Sequence, residues 1–311
     1  MDTAMNTDTA ATSPDHQALK VASEHMGQLA WPTAIYASSV LLGYALLIVF
    51  TLQQLIPLWA VALGSALLTY LAYTTLHESA HNNISGKYAQ WRWLNEALGY
   101  LSAMVLCMPL TAHRVEHLAH HRFTNDPDTD PDAILAGCGN SPIKVFTTAI
   151  HLLIRQYSYY LDTRWGKAPT KEKCIFLAEV CAAITFRGMF IALGLWQEAL
   201  ALFVIGNIGG LGITLYLFAY IVHHPHTQTA RYEGTSTIRV PGKMNSLLTG
   251  LWVYQNYHSI HHLFPKVPFY RYRQVFDRIE PIMREKNAPV YRLTWRGLQT
   301  DHVQTDSCQT D

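Results

Sequence analysis

Apolar residues are arranged along this chain in long blocks, not in short alternating runs. A helix that crosses a bilayer needs about 20 consecutive apolar residues. Four blocks meet that need: Thr33–Leu55, Leu58–Leu76, Ile175–Leu195 and Ala199–Val222. Each predicts a transmembrane helix. A fifth block, Leu94–Ala112, is nearly long enough but contains Gly99 and Pro109. Between the second and third spans, His113–Lys173 is polar except for a patch at Val145–Ile154. That patch reads as an amphipathic surface helix. Near the C-terminus Arg271, Tyr272, Arg273, Phe276, Arg278, Ile279 and Met283 mix basic and apolar side chains at helical spacing. Such a helix either lies on the membrane surface or packs on the rest of the domain. Residues 1–28 carry no apolar block and no signal-peptide pattern, and predict a disordered tail. Residues 29–296 then form one membrane domain, and 297–311 a flexible C-terminal tail.

Composition agrees with this outline. Half of the residues (50%) are hydrophobic and only 14% are charged, against about 25% in soluble domains. A net charge of +1 argues against a nucleic-acid partner. The five cysteines (Cys107, Cys138, Cys174, Cys181, Cys308) show no C-x-x-C spacing, so neither a disulfide framework nor a thiolate metal site is expected.

The chemistry lies in the histidines. They gather in four clusters: His77-Glu-Ser-Ala-His81, His117-Leu-Ala-His120-His121, His223-His224-Pro-His226 and His258-Ser-Ile-His261-His262. Parity of the spans decides whether these can meet. If Leu94–Ala112 crossed the bilayer, His77 and His117 would end on opposite faces. If it dips in and returns, or lies in the interface, all four clusters open on one face. Charge supports the second arrangement. The far-side loops near Ile56-Pro57 and Trp196-Gln-Glu198 hold no Lys or Arg, and of 23 basic residues all but Arg187 fall on the histidine side. The positive-inside rule makes that side, and both termini, cytoplasmic. The expected fold is therefore an all-α membrane protein. It has about four transmembrane helices, a re-entrant or interfacial helix and a cytoplasmic helical cap holding the histidines. Arg187 and Glu179 in the third span are either a functional site or a structural polar pair.

On a helix, residues i, i+3 and i+4 share a face, so each cluster can aim two or three imidazoles at a metal. With His223, nine candidate ligands result: His77, His81, His117, His120, His121, His223, His258, His261 and His262. One metal takes about three to six ligands, so nine imply two metals. Imidazole sets suit Fe, Zn, Cu or Ni. Two irons beside a bilayer point to dioxygen activation on a lipid, and zinc points to hydrolysis. The zinc reading has literal motifs, His77-Glu78-x-x-His81 and His113-x-x-Glu116-His117, with Glu78 as the base of an intramembrane protease. That reading leaves the two H-x-x-H-H clusters unexplained.

The boxes His77–His81, His117–His121 and His258–His262 resemble those of the membrane fatty acid desaturase/hydroxylase superfamily. So do His120-His-Arg-Phe-Thr-Asn125-Asp-Pro-Asp-Thr-Asp130 and Asn256-Tyr-His258-Ser-Ile-His261-His262-Leu-Phe-Pro265-Lys-Val-Pro268. The likeness runs over about residues 70–275. It implies a non-haem di-iron site with dioxygen as co-substrate. Eight ligands come from the boxes, and His223 after the last span is the ninth. It makes 29–296 a desaturase-like catalytic domain. Glu78, Asp130 and Asn256 are expected to orient imidazoles. His113 either has a supporting or substrate role or is an ordinary surface residue, and His224 and His226 are less secure members of the site. The substrate is an acyl chain, oxidised mainly by desaturation. A carotenoid ring is the alternative, because Tyr220-x-x-His223-x-Pro225 and the Gln255–Pro268 stretch also resemble carotenoid ring hydroxylases. Acyl decarboxylation or hydroxylation is a further outcome. The chain shows no dinucleotide fingerprint or iron–sulfur cysteine set. Electrons are thus expected from outside, from a ferredoxin and its reductase. A multi-pass protein of a bacterial inner membrane is expected.

Overall fold

The computed structural model describes residues 13–135 and 141–301. Cys138, Cys308, His302 and the terminal segments 1–12 and 302–311 lie outside the described residues. Among the described residues, four helices are long and apolar enough to cross a membrane: α2 (Trp31–Leu52), α3 (Leu58–Ala80), α7 (Thr170–Ala192) and α8 (Trp196–His223). They match the four expected spans to within a few residues. Loops 53–57 and 193–195 are too short for anything but antiparallel hairpins, and the His77 ring near the end of α3 lies 6.1 Å from the Phe218 ring near the end of α8, so both helices finish at the same end of the bundle. Leu63 and Ile184 are examples of large apolar side chains left about two-thirds exposed on these helices (64% each), as lipid-facing positions require.

The central contact is α3 against α8, and it depends on small residues. A Cβ built on Gly206 would lie 2.4 Å from Ser65 Cβ, and one on Gly210 would lie 2.5 Å from the Ala66 carbonyl oxygen. The G-x-x-x-G spacing thus lets the backbones touch. Ser65 Oγ donates to Leu202 O (2.7 Å) across the seam. Two π-helical stretches, Leu200–Gly206 and Leu215–Tyr220, interrupt the regular winding of α8.

The fifth apolar block does not cross. It forms α4 (Arg92–Leu106), which stops at Cys107 in the left-handed region (φ 54°), and α5 (Leu110–Phe123) begins after Pro109. Fifteen residues span about 22 Å, less than the roughly 30 Å hydrocarbon core. Gly99 stays helical, so the break is set by Cys107–Pro109. The break frees backbone groups that lipid cannot satisfy. Neighbouring helices supply the partners. Arg187 Nη2 donates to Met104 O (3.0 Å) and Val105 O (3.1 Å), and Asn207 Nδ2 donates to Val105 O (2.8 Å). On the other side, Glu179 accepts from Leu110 N (2.6 Å) and Thr111 N (3.2 Å). Arg187 and Glu179 therefore each bind one side of the break. The cation sits at a helix C-terminus and the carboxylate at a helix N-terminus, as the helix dipole favours.

Helix α6 (Pro142–Tyr159) includes the apolar patch read as an amphipathic helix, with Leu152 buried and Ile154 exposed. The cap holds α9 (Asn245–Leu251), α10 (His258–Leu263) and α11 (Tyr272–Glu285). Of the two readings of α11, packing is the one observed. Tyr272, Val275, Phe276, Ile279 and Met283 are all fully buried in one core cluster with Tyr257, Ile260 and Phe264.

Two expectations need correction. Residues 14–23 of the expected disordered tail form α1 (Pro14–Ser23), which buries Ala18 and Ala22 in that same core. Asp15 also accepts from Tyr232 Oη (2.6 Å). A ten-residue polar helix is marginal alone and needs its docking face, which the local pattern does not reveal. The start of the expected C-terminal tail is likewise ordered. Strands β1 (Thr237–Arg239), β2 (Val290–Thr294) and β3 (Gly297–Thr300) form a small sheet, β1 parallel to β2 and β2 antiparallel to β3. Buried Asp301 closes it, with Arg292 at 2.8 Å, Arg239 at 3.2 Å and Arg284 at 3.3 Å. The fold is mostly helical with four candidate spans, as expected, and this sheet is small.

Candidate metal centre

Four elements deliver the histidines. The C-terminal end of α3 carries His77 and His81, one turn apart. The last two turns of α5 carry His117, His120 and His121. The end of α8 carries His223, and α10 carries His258, His261 and His262. All nine expected ligands come together. The ligand atoms of His77, His81, His117, His121 and His261 lie within 4.8 Å of one another, as do those of His120, His223 and His262. His258 joins the second group, with its Nε2 3.1 Å from that of His223 and 3.2 Å from that of His262. The groups abut: the His121 and His262 rings stack at 4.4 Å.

Hydrogen bonds show which way the nitrogens face. His120 Nδ1 donates to Asp130 Oδ1 (2.8 Å), and His258 Nδ1 donates to Gln255 Oε1 (3.0 Å). Thr124 Oγ1 gives its own proton to His120 O (2.8 Å) and accepts from His262 Nδ1 (3.2 Å). Tyr272 Oη lies 2.9 Å from His261 Nδ1. In His120, His258 and His262 the outer nitrogen carries the proton, so the inner Nε2 presents a lone pair. The inner Nε2 atoms of the other group crowd together. His121 Nε2 is 2.7 Å from that of His261 and 3.1 Å from that of His117, and the His77–His261 and His81–His117 pairs are both at 2.9 Å. Bare lone pairs at such distances repel. A cation between them reverses the sign, and cis ligands at about 2.1 Å from a metal stand about 3.0 Å apart.

The electrostatics agree. Burial holds His81 and His258 down to about 3, and burial with neighbouring imidazoles holds His117, His121, His261 and His262 well below the usual value. These rings are neutral at ordinary pH, which is the ligating form. His120 differs. Burial works against its charge, but the Asp130 hydrogen bond and the Asp132 and Asp130 carboxylates outweigh it and raise its pKa. The cluster is compatible with a metal site.

The expected supporting residues divide. Asp130 does orient a ring, and also accepts from Asn125 N (2.7 Å). Among the described residues, Glu78 makes no hydrogen bond to an imidazole. It accepts from Asn83 Nδ2 (3.2 Å) and Phe269 N (3.4 Å), behind the site. It is therefore not placed as the base of a zinc protease. Asn256 Nδ2 donates to Ile238 O (2.9 Å), so it braces β1 instead. His224 stacks on Tyr220 and His226 on Tyr291, both away from the two groups. His113 stacks on His117 at 5.1 Å and its Nδ1 lies 2.9 Å from Gln156 Oε1, which puts it beside the ligand set. Thr124, Gln255, Tyr272 and Gln156 were not foreseen. Gln255 sits three residues before His258 and Thr124 three after His121, which is a usable local signal. Tyr272 and Gln156 are remote, and only the fold brings them in.

An apolar cleft of about 710 Å³, open mouth included, ends on this cluster. His77, His117, His120, His223 and His258 form its polar end, so both groups face it. Its walls include Met108 at the helix break, Leu152 and Leu153 of α6, and Leu211, Leu215 and Phe218 of α8.

A family model described as fatty acid desaturase matches residues 55–294. The chain belongs to the fatty acid desaturase family. Similar proteins include an sn-1 acyl-lipid omega-3 desaturase (ferredoxin) of Nostoc sp. (strain 36), 22% identical over 268 residues, covering 74% of this chain and 70% of the relative. An sn-1 oleoyl-lipid 12-desaturase of Anabaena variabilis is 24% identical over 289 residues, covering 82% and 76%. Fatty acid conjugase FAC2 A of Calendula officinalis is 22% identical over 271 residues, covering 75% and 71%. As a member of the desaturase family, the chain is an oxidoreductase of lipid metabolism with membrane helices.

Proposed function

We propose that this protein is a dioxygen-dependent, non-haem di-iron desaturase of acyl lipids. One observation carries the reading: nine imidazoles in two abutting groups share one apolar cleft. In this reading His77, His81, His117, His121 and His261 hold one iron, and His120, His223, His258 and His262 hold the other. Bound iron supplies the dioxygen chemistry that removes hydrogen from an unactivated C–H bond. The chain's own residues do the positioning. Asp130, Gln255 and Thr124 fix ring tautomers, so the lone pairs face inward. Met108, Leu215 and Phe218 hold an alkyl chain with one methylene pair at the histidines and exclude water.

The acyl-lipid desaturases among the relatives favour an acyl substrate over a carotenoid ring, and desaturation over hydroxylation or loss of carboxylate. The relative named for ferredoxin supports a ferredoxin-type donor with its reductase. The scarcity of Lys and Arg in the far-side loops supports a cytoplasmic histidine face in a bacterial inner membrane.

Two measurements test this together. Purified protein should carry about two irons per chain, as the ligand arithmetic requires. Cells expressing it should gain acyl chains lighter by two hydrogens, and cells expressing His261→Ala should not. Zinc in place of iron, or a hydroxylated product, would overturn the reading.

A further inference from the structure

The histidines are reached from two directions. The apolar cleft is one. The other is a polar pocket of about 860 Å³, open mouth included, that shares no lining residue with the cleft. His121 and His262 line it, one from each histidine group, with their rings stacked at 4.4 Å and 28°. This pocket therefore touches both groups through a single stacked pair. Arg122 and Arg231 stand beside them, both exposed. Their guanidinium groups lie over aromatic rings, Arg122 over Phe123 and Arg231 over Tyr232 and Phe264. The acid in the pocket, Asp126, is turned to the backbone N–H groups of Asp128 and Thr129, each at 3.0 Å.

We infer that this pocket is the docking and electron-entry port for an acidic one-electron carrier protein, and this rests on the di-iron reading above. An alkyl substrate needs the apolar cleft, which leaves the polar mouth free for a second reactant. Two arginines at the rim suit the acidic face of a carrier, where rim charges speed encounter and fix orientation. Small redox encounters need only a modest interface. The balance is complete. Each of two reduced carriers gives one electron. The acyl chain gives two hydrogens and is oxidised to the alkene. Dioxygen takes those two hydrogens, the two electrons and two protons from water to become two waters.

The test measures carrier binding directly. Full-length protein in nanodiscs is titrated with a plant-type [2Fe–2S] ferredoxin at low and high salt. Arg122→Glu/Arg231→Glu should keep its iron yet bind ferredoxin about tenfold more weakly, with a shallower salt dependence. Arg122→Gln/Arg231→Gln should fall between, and serves if the charge reversal fails to fold. Arg296→Glu, an exposed charge change outside the pocket lining, should bind like the wild type. The ferredoxin-driven rate should fall further than the dithionite-driven rate. Unchanged binding in both pocket variants, or equal weakening by Arg296→Glu, overturns the port. A wild type that desaturates lipid with dithionite but shows no salt-dependent ferredoxin binding overturns the port alone. A wild type without iron overturns the metal reading, and the port with it.

Discussion

At the scale of single residues, the site is governed by what lies behind the imidazoles. Asp130 shows this most clearly. Its carboxylate holds His120 Nδ1 at 2.8 Å and is itself fixed by Asn125 N. Asp130→Asn removes the charge that sets the ring's proton, and should cost about 10–100-fold in metal affinity. Iron titration at limiting metal reads this directly, and unchanged affinity would count against Asp130 as an orienting residue. Glu179 acts at a distance. Its carboxylate satisfies the first two N–H groups of α5, the helix that carries three candidate ligands. Glu179→Ala leaves those donors unpaired in an apolar setting and should destabilise the protein by about 1–3 kcal/mol. A thermal-melt comparison in detergent with Glu172→Ala, a change at a half-exposed ion pair, checks this; equal melting shifts would remove Glu179's special role. Of these two residues, the sequence marked both. It identified Asp130 by its place after the second box. Glu179 stood out only as a charge in a span, because its partner, a helix break in another segment, is not a local feature.

At the scale of elements, the decisive object is the seam between α3 and α8. These helices end in His77 and His81 on one side and His223 on the other, so their separation fixes whether the two histidine groups abut. Gly206 and Gly210 set that separation. Gly206→Leu would force the helices apart where a Cβ already meets Ser65 at 2.4 Å. Overpacking of this kind costs about 1–3 kcal/mol, and iron content should fall with it. Gly212→Ala, whose new Cβ meets nothing within 4 Å, is the matched control and should keep its iron. Loss of iron in the control as well would show that the effect is not the seam. The spacing Gly206-x-x-x-Gly210 is a local feature of the chain, although only the fold shows it as a helix contact. Which helix it faces is not local, since four apolar spans offer several partners. The helix break had the opposite fate. Parity of the spans required that Leu94–Ala112 not cross, and α4 stops at Cys107 as required. The partners that make the break stable, Arg187, Asn207, Tyr157 and Glu179, come from three other helices.

At the scale of the whole molecule, the two hairpins bring His77, His81 and His223 to the end of the bundle where α5 and α10 supply the other six candidate ligands. The orientation of that end is testable. Single cysteines at Gln54 and Lys243, introduced into a cysteine-free background, should label from opposite sides of the membrane with an impermeant maleimide in intact cells. Lys243 should be protected if the histidine face is cytoplasmic; labelling there with protection at Gln54 would invert the topology. The chain by itself determined the spans, their parity, the candidate ligands and the family resemblance. Each of these rests on period, length or spacing, which are local properties of a sequence under a bilayer's constraints. Only the tertiary structure decided how the histidines divide into two groups. It also separated Asp130, which orients a ring, from Glu78 and Asn256, which do not. It turned α1 and β3 from tails into ordered elements, and it placed an apolar cleft and a polar pocket against different histidines of one cluster. The physical reason is common to all four. Grouping, support and access depend on pairs of residues far apart in the chain, and their energies exist only once α3, α5, α8 and α10 have met.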